Sequence, residues 1–496
     1  MVSKINCMTV TGMDVVPVMV ETDISNGLPA FDMVGLLASD IKESRQRVRT
    51  ALKNSGYVIP PKKIIINFAP GNIHKNGTYF DVAVAISILR ALEIVEGDME
   101  DKLFLGELSL DGEVLKVPGA LPIVLEAAKR GCKQCFVPWD NLEECDFIRQ
   151  TQVIGVKKLN DIVRILAGGS VEERKGVTER RTENLYDFKA IRGQTMARKA
   201  AEIAAAGMHN LLMIGPPGTG KTRIAKTIPT ILPNLSEEEQ IEISGIQSIA
   251  GLLEGGLVQE RPFRSPHHTS TVSAMIGGRT YPKPGEVTLA NLGVLYLDEF
   301  PEFSRNVVET LRQPMEDGVV RIARSGGVYQ FPANFMLVAS MNPCRCGYYP
   351  DRKRCQCTER DVKKYLEKIS GPILDRIDLS VRMNPVPFWE LRGDVVEEDS
   401  AVIKKRVNRA LECQRERYQK ESIRFNSQLT GEQLKVYCPL GKKEEALARE
   451  IYESMELSVR GYEKLLKVAR TISDLSGKEQ IGCEELMKAL AFKTAS

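Results

Sequence analysis

The period at which apolar positions recur changes along the chain. Within residues 1–168, short β-like runs ("VVPVMVET", "KKIIINFAP", "QCFVPW") are interleaved with helical ones ("DIKESRQRVRTALKNSG", "FDVAVAISILRALEIV", "ALPIVLEAAKRG"). That mixture of periods predicts an α/β or α+β domain with its own core. Residues 169–184, within "GGSVEERKGVTERRTEN", are polar, charged and almost free of large apolar groups, so they read as a linker. Residues 185–390 alternate apolar strands with helices and glycine turns, the pattern of a parallel-sheet α/β domain. Residues 391–496 turn helical, through "DSAVIKKRVNRALECQRERYQ", "KKEEALAREIYESM", "SVRGYEKLLKVARTISDLSG" and "GCEELMKALAFK", and predict an all-α carboxyl-terminal domain.

Composition changes this picture little. The chain has 496 residues, 43% hydrophobic and 27% charged, which is enough to bury real cores. A net charge of +3 means that any surface for nucleic acid has to be local. No apolar block is long enough to span a membrane, and the run "AAEIAAAGMHNLLMIG" is broken by Glu202, His209 and Asn210. Eleven mostly scattered cysteines and no secretory signal predict a reducing, cytoplasmic setting.

The clearest chemistry is in "LLMIGPPGTGKT". An apolar run ends at Gly215, and Gly215, Pro216, Pro217, Gly218, Thr219 and Gly220 form a loop whose backbone N–H groups can curl around phosphate oxygens. Lys221 can then reach the β/γ phosphates of ATP, Thr222 can hold Mg²⁺, and the helix beginning there adds its positive end. A second strand, "GVLYLDEF", delivers Asp298 for the Mg²⁺ shell and Glu299 to orient and deprotonate the attacking water. A third, "NFMLVASMN", ends in Asn342, whose amide can contact the γ-phosphate or that water. In "SGPILDRIDLSV", Arg376 is either a surface arginine paired with Asp375 or Asp378, or a finger reaching into a neighbouring subunit's ATP.

These residues, with "DFKAIRGQ", "FRSPHHTSTVSAMIGG", "LRQPMEDGVV", "MNPCRCG", "GPILDRIDL" and "LSVRGYEKLLKVARTI", make the chain similar to AAA+ ATPases of the magnesium-chelatase-like group, the YifB/ComM family. The resemblance implies an AAA+ P-loop core with an all-α carboxyl-terminal lid. It implies that Asn342 is sensor 1, Arg376 the finger in trans and Arg460 sensor 2, reporting on the γ-phosphate. It also implies a homo-hexameric ring. Relatives among minichromosome-maintenance helicases and chelatase ATPases carry two insertions. Here these would be residues 250–285 and the hairpin "GVVRIARSGGVYQF", which turns at Gly326-Gly327. Arg321 and Arg324 on that hairpin would contact DNA phosphates; the plain alternative is a solvated hairpin face. The implied activity is DNA-directed, helicase or branch migration supporting recombination or natural transformation. The alternative is an ATPase that remodels a protein partner. His267 and His268, adjacent on a strand, would point to opposite faces and are expected to be structural or interfacial.

The amino-terminal domain resembles the Lon-protease (S5-type) fold in "NIHKNGTYFDVAVAIS" and "LGELSLDGEVLKVPGALPIVLEA". The serine position falls on Tyr79 and the lysine position on Leu121, so the domain is expected to be proteolytically inactive. One motif stands apart: Cys344, Cys346, Cys355 and Cys357, spaced C-x-C-x8-C-x-C among Arg345, Arg352, Lys353 and Arg354. Two cysteine pairs bracketing a short loop can wrap one Zn²⁺, though the usual spacing is wider; free thiols are the alternative, and four thiolates would leave no open position for catalysis.

Overall fold

The alternating stretches at the amino terminus pair into a sheet of seven strands. In spatial order they are Ala30–Val34, Lys63–Ala69, Asp14–Ser25, Ser3–Thr11, Lys102–Phe104, Gln134–Pro138 and Gln152–Val156. The pairings are antiparallel among Lys63–Ala69, Asp14–Ser25 and Ser3–Thr11 and parallel toward both edges. The helical runs read from the sequence become Ser39–Asn54, Asp81–Ala91 and Ala120–Lys129. The second is buried from Asp81 to Leu89; burial raises the Asp81 pKa, opposed by the Arg47 guanidinium, which donates to it at 2.9 Å. This computed structural model describes residues 2–172, 186–278, 282–324, 327–388 and 397–493. Most of the expected linker, and the hairpin turn at Gly326, lie outside the described residues.

The second sheet has five strands, all parallel, in the order Phe263–Arg264, Val294–Leu297, Met336–Met341, Leu211–Ile214 and Leu379–Arg382. Val294–Leu297 and Met336–Met341 are buried throughout, as strands covered on both faces must be. Residues 250–285 are not an insertion throughout: Phe263–Arg264 is an edge strand of this sheet, and Leu253 belongs to the amino-terminal core. Helix Glu237–Ala250, capped by Ser236 with Glu239, carries the chain between the two bodies. Its Ser248 carbonyl accepts from Gly119 N–H at 2.8 Å, and Lys116 Nζ donates to the Leu253 carbonyl at 3.0 Å.

Beyond residue 396 the described elements are helical, including Ser400–Arg417, Lys442–Ser454, Val459–Leu475 and Cys483–Leu490. They share one core with helix Thr195–Gly207 and the strands beside it. Gln414 Nε2 donates to the Ala206 carbonyl at 2.9 Å, and buried His209 meets Thr471 Oγ1 at 2.7 Å. At the centre of the helical body Asp474, 2% exposed, accepts from Arg417 at 2.6 Å, Arg470 at 2.9 Å and Asn426 at 2.9 Å. Among the described residues no helix is long and apolar enough to cross a membrane.

One buried carboxylate thus serves two guanidinium groups. Asp474→Ala leaves both without their counter-charge and is expected to destabilise the helical body by about 3 kcal/mol or more. Denaturant unfolding followed by far-UV circular dichroism reads this directly; an unchanged midpoint would show that the network contributes nothing.

Candidate nucleotide site

Strand Leu211–Ile214 lies between Met336–Met341 and Leu379–Arg382, and Gly215 continues the ladder by donating to the Met341 carbonyl at 3.2 Å. A side chain at Gly215 would place its Cβ 2.5 Å from the Met383 carbonyl, so glycine is required there. Gly218 and Gly220 have φ of +80° and +92°, and helix Lys221–Thr227 begins directly after them. A Cβ on either would meet open space, so these two positions line the free side of the loop. Lys221 Nζ is half-buried and donates to the carbonyls of Gly215 at 2.6 Å and Pro216 at 2.9 Å, and to Asn342 Oδ1 at 3.2 Å. Burial lowers the ammonium's pKa, opposed by the charges of Asp298 and Glu299.

The second strand brings its acids to the same edge. Thr222 Oγ1 donates to Asp298 Oδ2 at 3.0 Å. Burial works against the Asp298 carboxylate, but hydrogen bonds from Ser340, Thr222, Tyr296 and the Glu299 N–H outweigh it and hold its pKa below the usual value. A hydroxyl and an ionised carboxylate three ångströms apart, beside a lysine and a glycine loop, fit a hydrated Mg²⁺ with phosphate oxygens. Glu299 follows in the left-handed region, φ +52°, a conformation uncommon for residues other than glycine. Its carboxylate is exposed, with His268 Nδ1 at 3.8 Å.

Asn342 therefore joins Lys221, Thr222, Asp298 and Glu299 at the carboxyl edge of the sheet. Arg376 and Arg460 do not. Arg376 precedes Leu379–Arg382, and its backbone carbonyl accepts from Asn210 Nδ2 at 2.8 Å, next to the start of Leu211–Ile214. It stands at the amino edge, a strand of four residues, or about 13 Å, from the phosphate loop. Its guanidinium pairs with Glu316 and donates to the Pro372 carbonyl at 2.6 Å. Arg460, in the first turn of helix Val459–Leu475, reaches the same Glu316 at 3.4 Å. The pairing with Asp375 or Asp378 considered from the sequence is replaced by this shared carboxylate. Both arginines line a cavity of about 420 Å³ with Lys464 and Lys467, and no residue of 215–222 borders it.

The hairpin forms as strands Val319–Arg324 and Gly327–Pro332, paired from Val319↔Pro332 to Arg324↔Gly327. Val320, Ile322, Tyr329 and Phe331 are buried, while Arg321 is half-exposed and meets Asp317 at 3.3 Å. Arg324 lies at the exposed end of its strand. The turn at Gly12 of the amino-terminal sheet packs against Tyr329 and Gln330. His267 and His268 lie in an irregular segment, so the strand argument fails: their rings are 4.1 Å apart, side by side, and His268 faces Glu299. The four cysteine sulfurs all lie within 4.8 Å of one another.

Three participants went unassigned from the sequence. Ser340 bonds Asp298, Tyr296 bonds both Ser340 at 3.0 Å and Thr222 at 3.4 Å, and Gln194 Nε2 donates to the Thr219 carbonyl at 3.2 Å. Strand alternation held the signal for Ser340, two residues before Asn342 on one face; Gln194, from "DFKAIRGQ", had no local signal.

Family models agree with this arrangement. "Magnesium chelatase, subunit ChlI" matches residues 187–391, "Subunit ChlI of Mg-chelatase" residues 20–141, and "Magnesium chelatase, subunit ChlI C-terminal" residues 397–493. The chain is 39% identical to the uncharacterized protein YifB of Escherichia coli, over 97% of this chain and 95% of that one. It is 37% identical to the competence protein ComM of Haemophilus influenzae, over 96% and 94%. To the chloroplastic magnesium-chelatase subunit ChlI of Glycine max it is 21% identical, over 64% and 76%. With a glycine loop, Lys221, Thr222 and Asp298 gathered at one sheet edge and relatives aligned along nearly the whole length, the chain belongs to the YifB/ComM family of magnesium-chelatase-like proteins.

Proposed function

We propose that this protein is a cytoplasmic, ATP-hydrolysing ring motor of AAA+ type that acts on DNA. Its activity would be helicase or branch migration in recombination or natural transformation. The observation that carries this reading is the separation of Arg376 and Arg460 from the phosphate loop across the sheet. A neighbouring copy that laid its amino edge on this carboxyl edge would complete the site, and repetition of that contact closes a homo-hexamer. Bound Mg²⁺·ATP supplies the scissile phosphate and part of its charge neutralisation. The loop 215–220 and Lys221 hold the phosphates; Thr222 and Asp298 hold the metal's shell. Glu299 orients water and takes its proton, Asn342 senses the γ-phosphate, and Arg376 and Arg460 bring positive charge to the neighbour's site.

The DNA part rests on the hairpin arginines and on the competence role in the name of ComM. The family models favour a second reading, an ATPase that remodels a protein partner as a chelatase subunit does. Proteolysis is not part of either. The Tyr79 hydroxyl bonds Thr9 at 2.9 Å and the Val10 N–H at 3.2 Å, and burial pushes its pKa up to about 12; Leu121 is fully buried. That supports a Lon-like domain without a nucleophile–base pair, retained for assembly or DNA contact. In the same reading the four cysteines hold Zn²⁺ structurally.

ATP-dependent branch migration on a labelled three- or four-strand junction tests the motor. Glu299→Gln should bind ATP yet lose turnover by about 100-fold or more, and should not move the junction. If the unmodified chain moves no DNA and DNA leaves its turnover unchanged, the DNA reading falls and the protein-partner reading takes its place. Arg376→Ala should be equally inactive alone. Mixed with Glu299→Gln chains it should regain part of the turnover, because some interfaces then pair an intact Glu299 with an intact Arg376; no regain would place the arginine in its own chain's site. Arg321→Ala combined with Arg324→Ala should weaken DNA stimulation of turnover and flatten its salt dependence. Equal stimulation in the double variant would remove the hairpin from the DNA path.

A further inference from the structure

The four-cysteine loop is not a distant ornament of the ATPase body. It leaves strand Met336–Met341 through Asn342, and Cys344 follows two residues later, fully buried. Sγ–Sγ distances are 3.3 Å for Cys344–Cys346, 3.5 Å for Cys346–Cys355 and 3.7 Å for Cys344–Cys355. A disulfide needs about 2.05 Å. Four thiolates on one tetrahedral ion, with Zn–S bonds of about 2.3 Å, stand about 3.8 Å apart. The observed spacing suits the ion. The Tyr349 N–H points at Cys344 Sγ at 3.4 Å, and Arg352 donates to the Cys357 carbonyl at 2.9 Å. Such outer contacts orient thiolate ligands.

The loop touches the nucleotide site twice. Gly347, φ +90°, lies so close to the phosphate loop that a Cβ there would come 2.7 Å from Pro217 Cδ. Helix Glu359–Leu366, capped by Thr358 directly after Cys357, packs Val362 into the cysteine cluster. One turn on, buried Tyr365 joins the core cluster that contains Met341, the residue before Asn342. The phosphate loop and Asn342 are therefore braced from one side by a segment with little apolar core of its own: Cys344, Cys355 and Val362 are its buried members.

We infer that Zn²⁺ bound by Cys344, Cys346, Cys355 and Cys357 braces this segment against Pro217 and Asn342, so that ATP binding and turnover depend on an ion that takes no part in the chemistry. Binding exchanges thiol protons for Zn²⁺ without change of oxidation state. The ion's four positions are filled by sulfur, which leaves none for water or substrate. The inference rests on the reading of residues 215–222 and Asn342 as a nucleotide site.

The test uses the full chain. Elemental analysis is expected to find one zinc per chain, and Co²⁺ in its place to give thiolate-to-metal charge-transfer absorption. Stripping with a chelator selective for zinc over magnesium should weaken Mg²⁺·ATP binding by about tenfold or more, since small misplacements at such sites are costly, and added zinc should restore it. Gly347→Ala keeps all four cysteines and should keep its zinc, yet lose ATP affinity through the clash with Pro217. A stripped chain that stays folded and binds Mg²⁺·ATP as tightly as the loaded one overturns the inference. If stripping unfolds the chain, Gly347→Ala decides: zinc retained with unchanged affinity overturns it. A chain that binds no zinc when offered it overturns the metal site, whereas a zinc-loaded chain that binds no ATP overturns the nucleotide reading on which the brace depends.

Discussion

Parallel pairing gives the central sheet two unlike edges, and the rest of the molecule follows from that asymmetry. Each strand arrives pointing the same way, so whatever follows a strand collects on one side and whatever precedes it on the other. Gly215, Asp298 and Asn342 each follow a strand and meet at Lys221 and Thr222. Arg376 precedes one and cannot join them. No side chain is long enough to cross the sheet. The sheet thus keeps acids, lysine and amide together on one edge and leaves the arginines on the other.

The bodies flanking that sheet are tied to opposite features of it. The amino-terminal domain reaches the ATPase core through helix Glu237–Ala250 and through the turn at Gly12, which rests on Tyr329 and Gln330 of the hairpin. The carboxyl-terminal helices attach through His209, Thr471 and Gln414 to the helix that leads into the phosphate-loop strand. Arg460 rides on one of those helices, so the charge at the amino edge and the loop at the carboxyl edge are connected through packed side chains rather than through a flexible tail. The cysteine segment lies against Pro217, through Gly347.

Legibility followed range. The loop from Gly215 to Thr222 could be read because its chemistry is consecutive: glycines, lysine and threonine act from adjacent positions. Asp298, Glu299 and Asn342 could be read because strand ends in such sheets converge. Ser340, Tyr296 and Gln194 could not, since their partners lie on other strands and in another loop. Phe263–Arg264 was hidden in an expected insertion because two residues are too few to show a period. The opposite orientation expected of His267 and His268 failed for a different reason, a strand assumed where the backbone is irregular. The meeting of Arg376 and Arg460 on Glu316 depends on a contact between residues 144 positions apart, which no local pattern encodes.

That meeting has a consequence for how copies would come together in the proposed ring. Within the single chain Glu316 pairs with both guanidinium groups, so one carboxylate offsets half of their combined charge. In the ring proposed above, a neighbour's phosphates would gain those arginines only by displacing the carboxylate. Joining two subunits of the proposed ring would then be an ion exchange, in which the nucleotide competes with Glu316 and the released carboxylate returns to water. Under that proposal nucleotide and assembly would reinforce one another: a subunit carrying triphosphate would be the better competitor, and a dilute chain would stay latent with its arginines on their internal counter-ion.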